Sequence, residues 1–192
     1  MINLQAEVEK ISQRLMTLPK REAVDFLVFQ CTRMMTCLVK FGQETGFETS
    51  HYQNCVNFAW DYLEGNPLQI SFEQASLDCY DNAPDTEIFD HELVSAALSA
   101  ALGVGMLMEF IHTDERQLVA DANQLVFDAV VLHLQATEAP FPLSLSNEEI
   151  YCHPAMRREV MIQSDALQFF VTGPNLGEVR KYIARTDIEL LP

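Results

Sequence analysis

A chain of 192 residues, 48% of them hydrophobic, with seven glycines and eight prolines, has the length and composition of one folded domain, which excludes disordered and collagen-like polymers. Its formal charge of −16 disfavours direct binding to nucleic acid or to an anionic membrane, because both repel a surface of that sign. The N-terminus lacks the basic-then-apolar order of a secretion signal. The five cysteines (Cys31, Cys37, Cys55, Cys79, Cys152) contain no Cys-x-x-Cys pair, so the expected setting is a reducing cytoplasm with free, mostly buried thiols.

In chain order, Leu4, Val8, Ile11, Leu15 and Leu18 recur at spacings of four and three, one apolar stripe on a short helix. Pro19 suits the first turn of the next helix, since its missing N–H would be unpaired there. That second helix runs to about Gln43 and buries Val24, Leu27, Val28, Cys31, Met34, Met35, Leu38 and Phe41. Gly46 fits the left-handed position just past its end, with Phe47 folding back onto the last turn, so the Gln43–Phe47 loop is read as a helix stop and not as a binding loop. Thr49 or Ser50 caps a third helix with Tyr52, Val56, Ala59 and Leu63 on one face and Gly65-Asn66-Pro67 at its end. Trp60, the single tryptophan, is expected to anchor packing against the second helix.

The residues Phe26, Cys31, Arg33-Met34, Phe41, Gln43, Thr45-Gly46-Phe47, Trp60 and Leu63 resemble the YjaG-like family of bacterial proteins, a family of unknown function. The similarity continues through Ile70-Ser71-Phe72, Glu109-Phe110-Ile111-His112, Asn147-Glu148-Glu149-Ile150 and Pro154-Ala155, and covers about residues 20–172. From Val171 onward the chain is not matched. The resemblance implies an all-helical cytoplasmic protein and implies no activity.

Further along, Ser71 with Gln74 makes a capping box, and Asp81-Asn82-Ala83-Pro84-Asp85 makes a turn. A central helix is expected from near Thr86 to Thr113. Within it, Leu93–Met108 are sixteen consecutive uncharged residues, apolar on every side. They rise only about 24 Å, short of the ~20 residues that span a bilayer, so the segment reads as the buried axis of a helical bundle. Gly103-Val104-Gly105 lies inside it and reads as close packing, not as a phosphate loop. Thr113 or Asp114 caps a helix with Leu118, Ala122, Leu125, Ala129 and Leu132 in register, and Ala139-Pro140-Phe141-Pro142 ends it. Ser146 with Glu149 forms a second capping box, and Pro154 kinks or restarts the helix that follows. Val160, Leu167, Phe169, Phe170 and Val171 form its buried side, and Asn175 with Glu178 caps a last helix carrying Val179 and Ile183. The fold class is all-α: a single domain over 1–192, one bundle of about seven or eight helices around a buried apolar helix.

Charge is unevenly placed. Residues 44–153 hold one basic residue, Arg116, against 19 acids. A field of one sign steers association, so the first functional expectation is a non-enzymatic interaction protein whose acidic segment meets a basic protein, or a second copy through an apolar groove. The alternative is a metal-dependent enzyme. Glu109 and His112, three apart on one helix face, are its candidates, since di-metal bundles use Glu-x-x-His pairs. Glu149 with His153 is the nearest second contributor, at a spacing of four. No Gly-rich phosphate loop, nucleophile elbow or His-Glu-x-x-His is present, so no catalytic or cofactor-binding residue is assigned and no cofactor is expected. Arg33 is expected to form a buried ion pair that sets helix register, with Glu44 or Asp61 as candidate partners.

Overall fold

A computed structural model describes residues 4–67, 70–137 and 147–186. Among them every regular element is a helix: α1 (Leu4–Leu15), α2 (Lys20–Thr45), α3 (Ser50–Glu64), α4 (Phe72–Asp81), α5 (Val94–Thr113), α6 (Gln117–Thr137), α7 (Asn147–Cys152), α8 (Pro154–Phe170) and α9 (Leu176–Arg185). The ninth helix arises at Pro154, which starts α8 instead of kinking a longer helix; the His153 side chain accepts the Ala155 N–H and caps it.

The uncharged segment is the axis of the bundle. α5 packs against α2, α3, α4 and α6, and its side chains from Ala96 to Ala101 and from Val104 to Ile111 are largely buried. It is long and apolar enough to cross a membrane, but here its apolar surface is covered by protein. Its two glycines permit that approach: a methyl group on Gly103 would lie 2.5 Å from Met34 Cε, and one on Gly105 would overlap the Tyr80 ring. Lys20 Nζ donates to the Ile111 carbonyl at 2.8 Å, placing a cation at the negative end of α5.

Helix ends follow local chemistry. Gly46 (φ 79°) and Gly65 (φ 73°) close α2 and α3 in the left-handed conformation, and Phe47 folds back to 5.5 Å from the Phe41 ring. Ser71 accepts the Gln74 N–H, and Asn175 with Glu178 forms a reciprocal capping box. Four expectations need correction. Thr49 occupies the position before α3 without a side-chain cap; Glu48 Oε1 accepts the Ser50 N–H instead, at 2.8 Å. α5 begins at Val94, not near Thr86, because Asp85 accepts the Glu87 N–H and His91 Nδ1 accepts the Leu93 N–H, local bonds that compete with helix. The buried side of α6 is wider than the expected stripe and displaced from part of it: Ala122 and Ala129 are buried as expected, Val119, Asn123, Val126, Val130 and His133 also turn inward, and Leu132 is exposed. Val171 is also exposed, past the end of α8. Trp60 is half-buried and packs against the core as an anchor should, with the Arg180 guanidinium of α9 4.4 Å over its ring. The 139–142 linker and the Ser146 cap lie outside the described residues.

Candidate functional site

Glu109 lies on the penultimate turn of α5, where its Oε2 accepts the Tyr80 hydroxyl from α4 at 2.7 Å. Burial and that bond push the Tyr80 hydroxyl above its ordinary pKa. His112, one turn later, is exposed. The structure therefore turns Glu109 toward a tyrosine and leaves His112 at the surface. His153, in the second candidate pair, uses Nδ1 to cap α8. Among the described residues, no three His, Cys, Asp or Glu side chains converge as a metal site would require.

Arg33 does form a buried ion pair, but with neither expected partner. Its two terminal nitrogens donate to both Glu159 oxygens at 2.6 and 2.7 Å, a bidentate contact from α2 to α8 with both residues 1% exposed. Glu44 instead meets His91 Nε2 at 3.0 Å, and Asp61 accepts from Asn66. From Glu159 the polar contacts run inward. Gln163 Nε2 donates to Glu159, Gln30 donates to Gln163 Oε1 at 3.0 Å, and the same Gln30 amide donates to Asn123 Oδ1 at 2.7 Å. The carboxylate can only accept, so it fixes the direction of each amide after it. All five side chains are buried, and they join α2, α6 and α8.

The accessible candidate is a cleft between α3 and α4. His51, Asn54, Cys55, Ser71, Gln74 and Asp78 line about 340 Å³. His51 and Cys55 are four apart on α3 and so share a face. Burial holds the His51 pKa below its ordinary value, opposed by Asp78 and Glu48, and its Nε2 is buried without a hydrogen bond. Beneath the cleft, Cys79 Sγ donates to Cys55 Sγ at 3.7 Å. The segment that builds the cleft is acidic: Glu48, Glu73, Asp78 and Asp81 are exposed, as are Asp85, Glu87, Asp90 and Glu92 in the following turns. Residues 41–115 contain no Lys or Arg. Two large apolar side chains of the same segment are exposed, Leu77 at 48% and Ile88 at 74%. Sequence reading missed the cleft. The i, i+4 spacing of His51 and Cys55 was its only local signal, and its other wall comes from α4.

A family profile described as "Protein of unknown function (DUF416)" matches residues 10–179. The chain belongs to the DUF416 family. The match reaches α9, beyond Val171 where the resemblance read from the residues stopped. An uncharacterized protein of Haemophilus influenzae is 30% identical to this DUF416 chain over 107 residues, 55% of either protein; the chain thus spans about half the length of that curated relative. A crystal structure of a DUF416 family protein from Shewanella baltica superposes with a TM-score of 0.80, covering 93% of this chain and 95% of the other at 19% identity, which shows a shared fold.

Proposed function

We propose that this DUF416 protein, a YjaG-like member with one helical domain over residues 1–192, is a non-enzymatic cytoplasmic interaction protein. Its acidic surface within residues 44–153 receives a basic amphipathic segment of another protein. One observation carries the reading: exposed Leu77 and Ile88 belong to a chain segment, residues 41–115, that contains no Lys or Arg and is dense in exposed acids. A helix with one basic and one apolar face complements both features, and charges of opposite sign raise its encounter rate. A second copy of the same acidic face would be repelled, which favours a basic partner over self-association through this surface.

The test is calorimetric titration of the full chain with an amphipathic Lys/Leu helical peptide. Binding should weaken steeply as salt rises through about 0.15 M, where the Debye length is near 8 Å. It should also fall when Glu73, Asp78 and Asp81 are together changed to Lys. Equal affinity for wild type and the charge-reversed variant, or affinity indifferent to salt, overturns the proposal. Sedimentation of the chain alone reads self-association; a salt-resistant dimer blocked by Leu77→Glu would replace the basic partner with a second copy.

A further inference from the structure

We infer that Cys55 and Cys79 are a redox-active dithiol, which a small hydroperoxide entering the cleft between α3 and α4 converts to an intramolecular disulfide. The site does not depend on what docks against the acidic face. Four of the five cysteines are buried, but only two are in sulfur-to-sulfur contact, at 3.7 Å. A disulfide requires about 2.05 Å, so the sulfurs must close by about 1.7 Å, within reach of modest χ1 rotations and a small shift of α4. The two thiols also differ in access. Cys55 is 5% exposed and lines the cleft, whereas Cys79 is fully buried behind it. Cys55 is therefore placed to meet the oxidant and Cys79 to resolve the product.

The shared hydrogen bond sets the same order. Cys79 donates to Cys55, which stabilises negative charge on the Cys55 sulfur and pulls its pKa below the ordinary thiol value in spite of burial. The same bond, with burial, pushes Cys79 upward. Cys31 and Cys37 are raised by burial and do not line the cleft. His51, one helical turn before Cys55 and lining the same cleft, offers a base whose Nε2 is committed to no other group.

The chemistry balances. The Cys55 thiolate attacks one peroxide oxygen, the O–O bond breaks, and the departing alkoxide takes up a proton to leave as an alcohol, or as water from hydrogen peroxide. Cys55 is then a sulfenic acid. The Cys79 sulfur attacks it, the Cys79 proton leaves with the hydroxyl as water, and the S–S bond forms. Two thiols lose two electrons and two protons, and one hydroperoxide is reduced to an alcohol and water.

The test uses the folded full chain, reduced and then exposed to limiting hydrogen peroxide, with remaining thiols alkylated in denaturant. One tryptic peptide would hold both cysteines, because residues 41–115 contain no Lys or Arg; cleavage at Asp and Glu separates them. Mass spectrometry should find the Cys55 and Cys79 peptides joined with loss of two hydrogens and released by dithiothreitol, while Cys31 and Cys37 are fully alkylated. Cys55 should be consumed ahead of exposed Cys152, because the Cys79 thiol stabilises its thiolate and then resolves its sulfenic acid. In Cys79→Ser, dimedone should trap Cys55 as sulfenic acid; in Cys55→Ser, Cys79 should remain unlabelled. The inference is overturned if Cys55 and Cys79 are both alkylated at a dose that oxidises half of Cys152, or if the link forms only in urea-unfolded chain. Should Cys79→Ser fail to fold, mapping of the wild type decides alone.

Discussion

The two sides of α2 are packed by opposite means. Toward α5, Met34 fills the space left by Gly103, and the contact is hydrocarbon against a bare backbone. Toward α6 and α8, Gln30 and Arg33 enter a buried chain of directed hydrogen bonds ending on Glu159. Arg33 and Met34 are sequence neighbours, yet about 100° of helical rotation sends them to different helices. Apolar packing rewards proximity but accepts small slides, because dispersion has no direction. A bidentate guanidinium–carboxylate contact fixes distance, angle and register together. On this comparison, α5 is held close by absence of side chain, and α8 is held in place by complementary charge.

The largest effect should come from breaking the polar side. Glu159→Ala leaves the Arg33 guanidinium buried and unpaired and should cost about 3–5 kcal/mol in urea denaturation. Replacing both partners, Arg33→Met with Glu159→Leu, should recover most of that loss. If the double variant is as unstable as the single, the pair does not act as a unit.

Asp25, two turns before Arg33 on the same helix, has no such network. It is 1% exposed, its Oδ1 lacks a hydrogen bond, and burial raises its pKa to about 6 from 3.8, with Arg21 opposing and Glu22 adding. The folded state thus keeps a proton that the unfolded chain releases between about pH 4 and 6. Stability linked to Asp25 is present below that window and is lost as pH rises through it. Asp25→Asn should flatten this part of the stability–pH profile and stabilise the protein at pH 7 by up to about 3 kcal/mol. An unchanged profile would show that Asp25 is solvated.

The apolar side should break less sharply, and unequally. Gly105→Ala presses a methyl group into the Tyr80 ring, disturbs its bond to Glu109, and should cost about 1–3 kcal/mol. Gly103→Ala meets only the flexible end of Met34 and should cost less than Gly105→Ala. Equal losses at both positions would mean that Tyr80 yields as easily as a methionine. Smallest of all, His112→Ala should change thermal stability by less than about 0.5 kcal/mol, since the side chain is exposed.

The helical class, the α1 and α2 stripes, the left-handed stops at Gly46 and Gly65, and the caps at Ser71 and Asn175 were legible because each depends on residues a few positions apart. The inward face of α6 was legible only in part: Ala122 and Ala129 are buried as expected, but valines and leucines surround the helix, and Asn123 turns inward to meet Gln30, a partner 93 positions away. The start of α5 was missed because side chains at Asp85 and His91 capture backbone N–H groups that the apolar pattern alone would assign to helix.

Sequence by itself determined that this DUF416 chain is helical, that its uncharged segment lies at the centre, and that Arg33 needs a buried acid, because periodicity, hydropathy and the cost of an unpaired charge are all local quantities. Tertiary structure alone decided that the acid is Glu159, that Glu109 turns to Tyr80, and that Cys79 lies against Cys55. Each of these contacts joins two helices whose relative placement is a property of the whole packed core, and no spacing along the chain encodes it.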